Sequence, residues 1–197
     1  MITHIAFDVG DVLIYVGDFS PYLKYLVKSL DFQTNTETLI KNYFSILPDL
    51  ELGKTTIQTI FPNMPVSKVE EIYKSIADKF FRNNLPILKL ANGLKKRYRV
   101  GVLSNVDLYF ADTKINQDIY RQFNPVVLSC REKTRKPEKG IYEIYLKRAN
   151  CQPQDLVFID NNPINLPPAR EMGIKTVLFQ NFDQLKNELI KLGIDLA

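Results

Sequence analysis

Five short apolar runs spaced along the chain constrain its fold more than any other feature. Each is four to six residues long and rich in Val, Ile, Leu or Phe, which is too short for a typical helix. The runs are continuous rather than alternating, a pattern typical of parallel strands that are covered on both faces. We therefore predict five buried strands, at Ile2–Phe7, Arg99–Leu103, Pro125–Leu128, Leu156–Ile159 and Ile174–Phe179.

Helical patterns separate most of these strands, and two of the patterns end at a glycine, which commonly terminates a helix. Strands that alternate with helices predict an α/β fold, here a doubly wound parallel sheet of the Rossmann type. The helices expected in this core are Ile87–Arg97, Gly140–Ala149, Pro163–Met172 and Asp183–Leu192.

About ninety residues separate the first two predicted strands, far more than one crossover helix needs. We therefore predict a core of residues 1–14 and 85–197 and an all-helical cap at residues 15–84, with the alternative that these helices simply widen the core. No strand signal interrupts this stretch, and a capping box of Ser67 and Glu70 opens its last helix. The helices predicted there are Pro21–Leu30, Thr36–Leu47, Thr55–Phe61 and Ser67–Phe81.

The composition limits the chemistry that the chain can perform. One His and two distant Cys, which we expect to be reduced thiols, cannot form the usual zinc clusters. His4 lies inside the first strand, where we expect a packed, neutral imidazole. The net charge of +4 is too small to indicate nucleic-acid binding without a patterned basic face. We expect neither a signal peptide nor a membrane span, and hence a cytoplasmic protein.

Polar residues follow four of the predicted strands, where ligands of open α/β sheets bind. A single acid at a strand end is usually a turn or cap residue, so only the joint pattern indicates a site. The four segments are Asp8-Val9-Gly10-Asp11, Ser104-Asn105, the basic loop Arg131–Lys139 that contains Arg-Lys-Pro-Glu, and Asp160-Asn161.

These four motifs, their order and the long insertion resemble the haloacid dehalogenase superfamily of hydrolases over essentially the whole chain. The resemblance implies a magnesium-dependent phosphatase of a small phosphorylated metabolite, with sugar phosphates as one candidate class. It implies Asp8 and Lys136 as catalytic residues, Ser104, Asn105 and Lys136 as phosphate-binding residues, and Asp8, the Gly10 carbonyl, Asp160 and Asn161 as ligands of Mg²⁺.

The implied chemistry explains why these residue types are needed. A carboxylate that attacks phosphorus forms an aspartyl-phosphate and divides one difficult displacement into two easier ones. The phosphoryl group is anionic and repels Asp8, so Mg²⁺ and Lys136 would have to offset this repulsion.

Two positions depart from the pattern of the family. Phosphatases of the family usually carry a second Asp, a general acid and base, where this chain has Gly10, and Asp11 would need an unusual turn to replace it. A subgroup with Gly at this place includes sugar-1-phosphate phosphatases, whose anomeric leaving group needs less protonation. Asn161 stands where magnesium-dependent members usually have an acid, and Asn165 lies near a further acid of some members. We expect weakened Mg²⁺ binding.

Two other functions remain open at this point. One is a metal-free 2-haloacid dehalogenase in which Asp8 attacks carbon, which Asn161 favours but Val12 and the Arg-Lys-Pro-Glu loop do not. The other is a degenerate scaffold that binds a phosphometabolite or a protein without turnover. The residues determine neither the substrate nor the oligomeric state. Candidate positions on the cap face are Tyr15, Tyr22, Phe44 and Glu51–Lys54.

Overall fold

A computed structural model describes residues 1–17, 21–22, 24–25 and 36–196. A parallel sheet of five strands runs through it in the order β5-β4-β1-β6-β7. All five predicted strands are present, each within two residues of its predicted ends, and the doubly wound α/β class is confirmed. The strands are β1 (His4–Phe7), β2 (Ile14–Tyr15), β3 (Arg82–Asn83), β4 (Arg99–Ser104), β5 (Val126–Leu128), β6 (Leu156–Asp160) and β7 (Lys175–Leu178).

Strand β1 lies at the centre of the sheet, and all four of its residues are buried. His4 pairs with Arg99 of β4 on one side and with Leu156 of β6 on the other. Alternate side chains of a strand point to opposite faces. Ile5 and Phe7 therefore belong to one hydrophobic core, whereas Ala6 belongs to the other.

Helices cover both faces of the sheet and make a three-layer molecule. Helices α7 and α8 pack on the face that contains Ala6, and α3 and α9 pack on the face that contains Ile5 and Phe7. The helices are α1 (Thr36–Glu51), α2 (Val66–Phe80), α3 (Leu85–Leu94), α4 (Leu108–Ala111), α5 (Lys114–Tyr120), α6 (Ser129–Glu132), α7 (Lys139–Ala149), α8 (Leu166–Glu171) and α9 (Phe182–Lys191), with 3-10 turns at Ile57–Thr59, Pro153–Asp155 and Pro163–Asn165.

The long segment between β1 and β4 begins and ends at a small antiparallel pair. Strand β2 pairs with β3, so that Ile14 lies opposite Asn83. Asn84 strengthens the junction, because its backbone N–H donates to Leu13 O at 2.9 Å and its side chain donates to Val12 O at 2.9 Å. The two boundaries predicted for the cap thus lie side by side in space.

Aromatic side chains join this segment to the core. Tyr73 of α2 contacts the ring of Phe110 in α4 at 4.5 Å, and Phe81 contacts the same ring at 5.2 Å between centroids. Helix α2 is amphipathic, and its buried face supplies Tyr73 together with Val69, Ile72, Ile76 and Ala77.

Several local predictions were wrong. The expected helix Thr55–Phe61 is only a 3-10 turn at Ile57–Thr59. The capping box of Ser67 and Glu70 does not form, because α2 already begins at Val66 after Pro65, whose fixed φ of −59° suits a helix start. The segment predicted to be all-helical also begins and ends in strands, β2 and β3. Each is only two residues long, too short to give a recognisable strand pattern in the sequence.

The predicted helix Pro21–Leu30 lies largely outside the described residues. Within the described ranges, no helix combines the length and the hydropathy that crossing a lipid bilayer requires.

Candidate active site

Four buried polar side chains meet beyond the carboxyl ends of three neighbouring strands. Asp8 follows β1, Ser104 ends β4, and Asp160 ends β6. Lys136 comes from the loop between α6 and α7. Lys136 and Asp160 are 1% and 0% exposed, so the charges that meet here are removed from solvent.

Lys136 is the centre of the cluster. Its Nζ lies 2.9 Å from Asp8 Oδ1 and 2.6 Å from Asp160 Oδ2, and it donates to Leu103 O at 3.0 Å. These three acceptors match the three N–H donors of an ammonium group. One lysine thus serves two carboxylates, which leaves the cluster with an excess of negative charge.

This arrangement shifts the pKa of both catalytic candidates. Burial raises the pKa of Asp8 to about 6, with Lys136 lowering it and Asp160 raising it further. Burial alone would lower the pKa of Lys136, but the carboxylates of Asp8 and Asp160 outweigh burial and raise it above its ordinary value. Lys136 is therefore held as a cation.

Asp160 is held rigidly by the loop that follows it. Its Oδ1 accepts from the backbone N–H of Asn162 at 2.7 Å, and its Oδ2 accepts from the side chain of Asn165 at 3.0 Å. Asn165 is itself buried and thus contributes an amide donor where some family members have an acid.

Asn105 and Ser104, predicted together, have different environments. The side chain of Asn105 makes two hydrogen bonds of 2.9 Å with the backbone of Lys136, accepting from its N–H and donating to its carbonyl. The side chain of Asn105 therefore positions the lysine loop. The Ser104 hydroxyl makes only a long contact of 3.5 Å with Asn105 O, which leaves it able to donate to a ligand.

The loop after Asp8 contains Gly10, where the usual second acid of the family is absent, and Asp11, the nearest acid that could replace it. Asp11 adopts a left-handed φ of 54°, and its Oδ1 accepts from the backbone N–H groups of Val16 and Gly17, both at 2.8 Å. Its carboxylate thus closes a turn. A Cβ at Gly10 would meet only Val16 Cγ2, at 3.8 Å, so a side chain there is sterically possible.

The predicted metal ligands offer oxygen atoms only, the donor type that Mg²⁺ prefers. They comprise two carboxylates, a main-chain carbonyl and an amide. The described residues contain no group of three or more His, Cys, Asp or Glu side chains that could hold a metal. The excess negative charge of Asp8 and Asp160 over Lys136 nevertheless suits a divalent cation, and these oxygen donors would fit Mg²⁺.

A cavity of about 140 Å³ adjoins this cluster. Gly10, Ser104 and Asn105 line it on the side of the polar cluster, and Asp107 and Tyr120 line it from the residues that follow β4. The long segment between β1 and β4 adds further lining residues, namely Val16, Tyr43, Leu47, Glu51 and Phe81.

Glu51 connects this segment to the lysine loop. Its carboxylate lies 2.7 Å from Arg135, the residue before Lys136. Burial raises the pKa of Glu51, with Arg135 and Lys136 acting in the opposite direction. Two residues further along, Gly53 O accepts from Lys133 Nζ at 2.6 Å.

The residues predicted to lie on the cap face differ in their exposure and in whether they line the cavity. Glu51 reaches the cavity, whereas Tyr15 and Phe44 are about half exposed and do not line it. Tyr22 is buried against Phe80 and Phe81.

Sequence reasoning missed Asp107 and Tyr120. Asp107 lies two residues beyond Asn105, so it could have been found among the polar residues that follow β4. Tyr120 has no comparable signal, because only the packing of α5 places it at the cavity.

Residues 7–179 match the sequence model of the haloacid dehalogenase-like hydrolases, and the chain belongs to this family. A curated relative, D-ribitol-5-phosphate phosphatase of Bacteroides thetaiotaomicron, is 22% identical over 203 residues, covering 96% of this chain and 97% of the relative. Bifunctional epoxide hydrolase 2 of Mus musculus is 31% identical over 115 residues, or 55% of this chain. That match spans only 21% of the epoxide hydrolase, about a fifth of its length.

Solved structures agree on the fold. A HAD family enzyme from Bacteroides thetaiotaomicron, in a magnesium complex, superimposes with a TM-score of 0.74 at 23% identity, covering 94% of this chain and 98% of that one. A 2-haloacid dehalogenase from Pseudomonas syringae pv. Tomato DC3000 gives a TM-score of 0.66 at 14% identity, covering 98% of this chain and 100% of that one. At these identities the likeness shows the fold alone.

Proposed function

We propose that the chain is a magnesium-dependent phosphatase of a small phosphorylated metabolite, which works through an aspartyl-phosphate on Asp8. The observation that carries the proposal is the buried ion-pair cluster in which Lys136 contacts both Asp8 and Asp160. Two comparisons support it. One is the D-ribitol-5-phosphate phosphatase, and the other is a HAD family enzyme crystallised with magnesium and inorganic phosphate.

In the proposed reaction an Asp8 oxygen attacks phosphorus while the bond from phosphorus to the leaving group breaks. The leaving alkoxide takes a proton from water, and a second water then hydrolyses the aspartyl-phosphate to regenerate Asp8 and release inorganic phosphate. Lys136 holds Asp8 in place and offsets the negative charge of the phosphoryl group, and Ser104 donates to a phosphoryl oxygen.

Asn105 keeps Lys136 in position through its two backbone hydrogen bonds. Mg²⁺, when bound, would supply further positive charge against the phosphoryl oxygens. Asp8, the Gly10 carbonyl, Asp160 and Asn161 are the residues that would hold it.

The direct test compares the wild type with Asp8→Asn on acetyl phosphate, with Mg²⁺ and with excess EDTA. We expect the wild type to release phosphate with Mg²⁺, and at least about a thousandfold lower rates for Asp8→Asn or with EDTA, because the nucleophile or the balancing charge is lost. Asp11→Asn is the matched control, since Asn retains the oxygen that accepts from Val16 and Gly17. It should stay close to the wild type.

Two results would contradict the proposal. Equal rates for the wild type and Asp8→Asn on every phosphate ester would indicate a scaffold without turnover. Chloride release from 2-chloropropionate in the presence of EDTA would indicate a metal-free dehalogenase instead.

A further inference from the structure

The described lining of the cavity beside Asp8 is acidic. Glu51 and Asp107 line it, and its described lining contains no Lys, Arg or His. Arg135 balances Glu51 from 2.7 Å away, whereas no ion pair is found for Asp107 in the described parts of the chain. Among the described lining residues, a negatively charged group would therefore meet two carboxylates and no cation, which disfavours an anionic leaving group.

The cavity also has unused hydrogen-bonding capacity. Tyr120 is 7% exposed, and its hydroxyl has no hydrogen-bond partner among the described residues. A buried polar group without a partner is costly, which indicates that a ligand or water satisfies it.

The carboxyl group of Asp107 adds further hydrogen-bonding capacity to the cavity. One of its carboxyl oxygens accepts from Phe110 N at 2.9 Å as the N-cap of α4. A carboxyl group has about four lone-pair sites, so this cap bond leaves room for a ligand. Burial raises the pKa of Asp107 to about 7, so its protonated form can also donate to a ligand hydroxyl.

The volume of the cavity limits what can enter. A cavity of roughly 150 Å³ holds one benzene molecule, about six non-hydrogen atoms. The 140 Å³ found here is of that size and far below the roughly 300–1,000 Å³ of pockets for drug-sized ligands. A three-carbon polyol, with about six non-hydrogen atoms, matches this volume.

We propose that this cavity binds the leaving group of the substrate and selects a short, uncharged, hydroxylated chain of about three carbons, whose hydroxyls bond to Tyr120 and Asp107. This inference rests on the proposed phosphatase function and specifies its substrate class. Phe81 and Phe110 supply the apolar contact for the carbon chain.

The test measures kcat/KM for glycerol phosphate and for n-propyl phosphate, which has the same carbon skeleton without the two free hydroxyls. The two leaving alcohols differ in acidity, and because this difference is the same in every variant, each variant's ratio is compared with that of the wild type. We expect the wild type to favour glycerol phosphate at least about a hundredfold, since a site built to bind hydroxyls strongly rejects an analogue without them.

Two variants then remove the proposed contacts. Tyr120→Phe removes only a hydroxyl, and Asp107→Asn retains an oxygen for the Phe110 N–H. Each should lower the ratio about tenfold, which corresponds to about 1.4 kcal/mol. Tyr145→Phe is the matched control, because its buried hydroxyl likewise has no hydrogen-bond partner in the described part of the chain but lies in the core on the other face of the sheet. Its ratio should equal that of the wild type.

A wild-type ratio near one, or higher kcat/KM for phosphoethanolamine, 3-phosphoglycerate or glucose 6-phosphate, would overturn the inference. Acetyl phosphate separates the two proposals. If the wild type hydrolyses it and Asp8→Asn does not, a ratio near one refutes the substrate class alone. If neither hydrolyses it, the phosphatase function fails, and this inference fails with it.

Discussion

Gly10 lies two residues after Asp8, at the position where phosphatases of the family usually carry an acid. Asp11 does not take over that role in the structure, because its carboxylate closes the turn through Val16 and Gly17. The backbone of Gly10 does not require glycine for space, since an added Cβ would meet only Val16 Cγ2 at 3.8 Å. A carboxylic acid can therefore be introduced at this position.

We predict that Gly10→Asp raises kcat for n-propyl phosphate at least about tenfold, because a positioned general acid typically contributes 10²- to 10⁴-fold. Acetyl phosphate should gain less, since its leaving group needs little protonation. Steady-state kinetics on both substrates measure the effect. Gly10→Asn, similar in size but not an acid, should give no gain, and an equal gain from Asn would refute the explanation.

The raised pKa of Asp107 predicts that the free energy of unfolding depends on pH. Burial raises the pKa of Asp107 from its ordinary value of 3.8 to about 7 in the folded protein. Between these values the folded state binds more protons than the unfolded state, so Asp107 lowers stability as the pH rises from about 4 to about 7. We expect Asp107→Asn to gain stability relative to the wild type over this window, on the order of 1–4 kcal/mol by pH 8.

Denaturant unfolding of both proteins at pH 5 and pH 8 measures this difference. Asn can still accept from Phe110 N–H, so the loss of the helix cap does not confound the comparison. A difference in unfolding free energy that stays constant between the two pH values would contradict the assignment.

At the scale of elements, the C-terminal end of α1 packs directly on the segment that follows β5. Gly53 has a left-handed φ of 57°, and a Cβ there would lie 2.4 Å from Cys130 O. Both the conformation and the close approach to the backbone of α6 require glycine. Together with the pair of Glu51 and Arg135, this contact sets how the long segment sits against the lysine loop.

We predict that Gly53→Ala lowers the free energy of unfolding by about 2 kcal/mol or more, because strain and a backbone clash add. Gly93→Ala in α3 is the matched control, since nothing lies within 4 Å of a Cβ there. It should raise stability by about 0.5–1 kcal/mol, the usual gain from Gly to Ala in a helix. Urea unfolding checks both, and similar effects for the two variants would contradict the structural reason.

At the scale of the whole molecule, folding brings two carboxylates from distant parts of the chain together with one lysine. Asp8 and Asp160 are 152 positions apart in sequence and both lie within 3 Å of Lys136 Nζ. The unfolded chain does not hold these groups together, so a cation that binds them stabilises the folded state through linkage.

We therefore predict that Mg²⁺ raises the Tm of the wild type, because it adds about 2.7 kcal/mol to the free energy of unfolding at a hundred times Kd. Asn161→Asp adds a carboxylate to the proposed ligands and should lower about tenfold the Mg²⁺ concentration at which Tm begins to rise. Asn162→Asp adds the same charge one residue later, at an exposed position, and should leave that concentration nearly unchanged. Thermal unfolding against Mg²⁺ concentration gives all three values, and an equal shift for both variants would indicate only a general charge effect.

The five strands, the α/β class and the candidate residues at the strand ends could be predicted from the sequence, because apolar runs and the polar residues after them are local patterns. The identity of the lysine came from resemblance, since Arg131, Lys133, Arg135 and Lys139 surround Lys136 in the same loop. Only the tertiary structure decided which basic side chain of that loop is buried between two carboxylates.

The cavity depends on tertiary structure in the same way. Tyr120, Asp107 and Glu51 are unremarkable in sequence, and they line one space because α5, the end of β4 and α1 pack around it. The pairing of β2 with β3 likewise joins positions nearly seventy residues apart, such as Ile14 and Asn83. Local patterns thus determined the sheet and the polar candidates at the strand ends, whereas long-range packing decided the environment of the cavity beside Asp8.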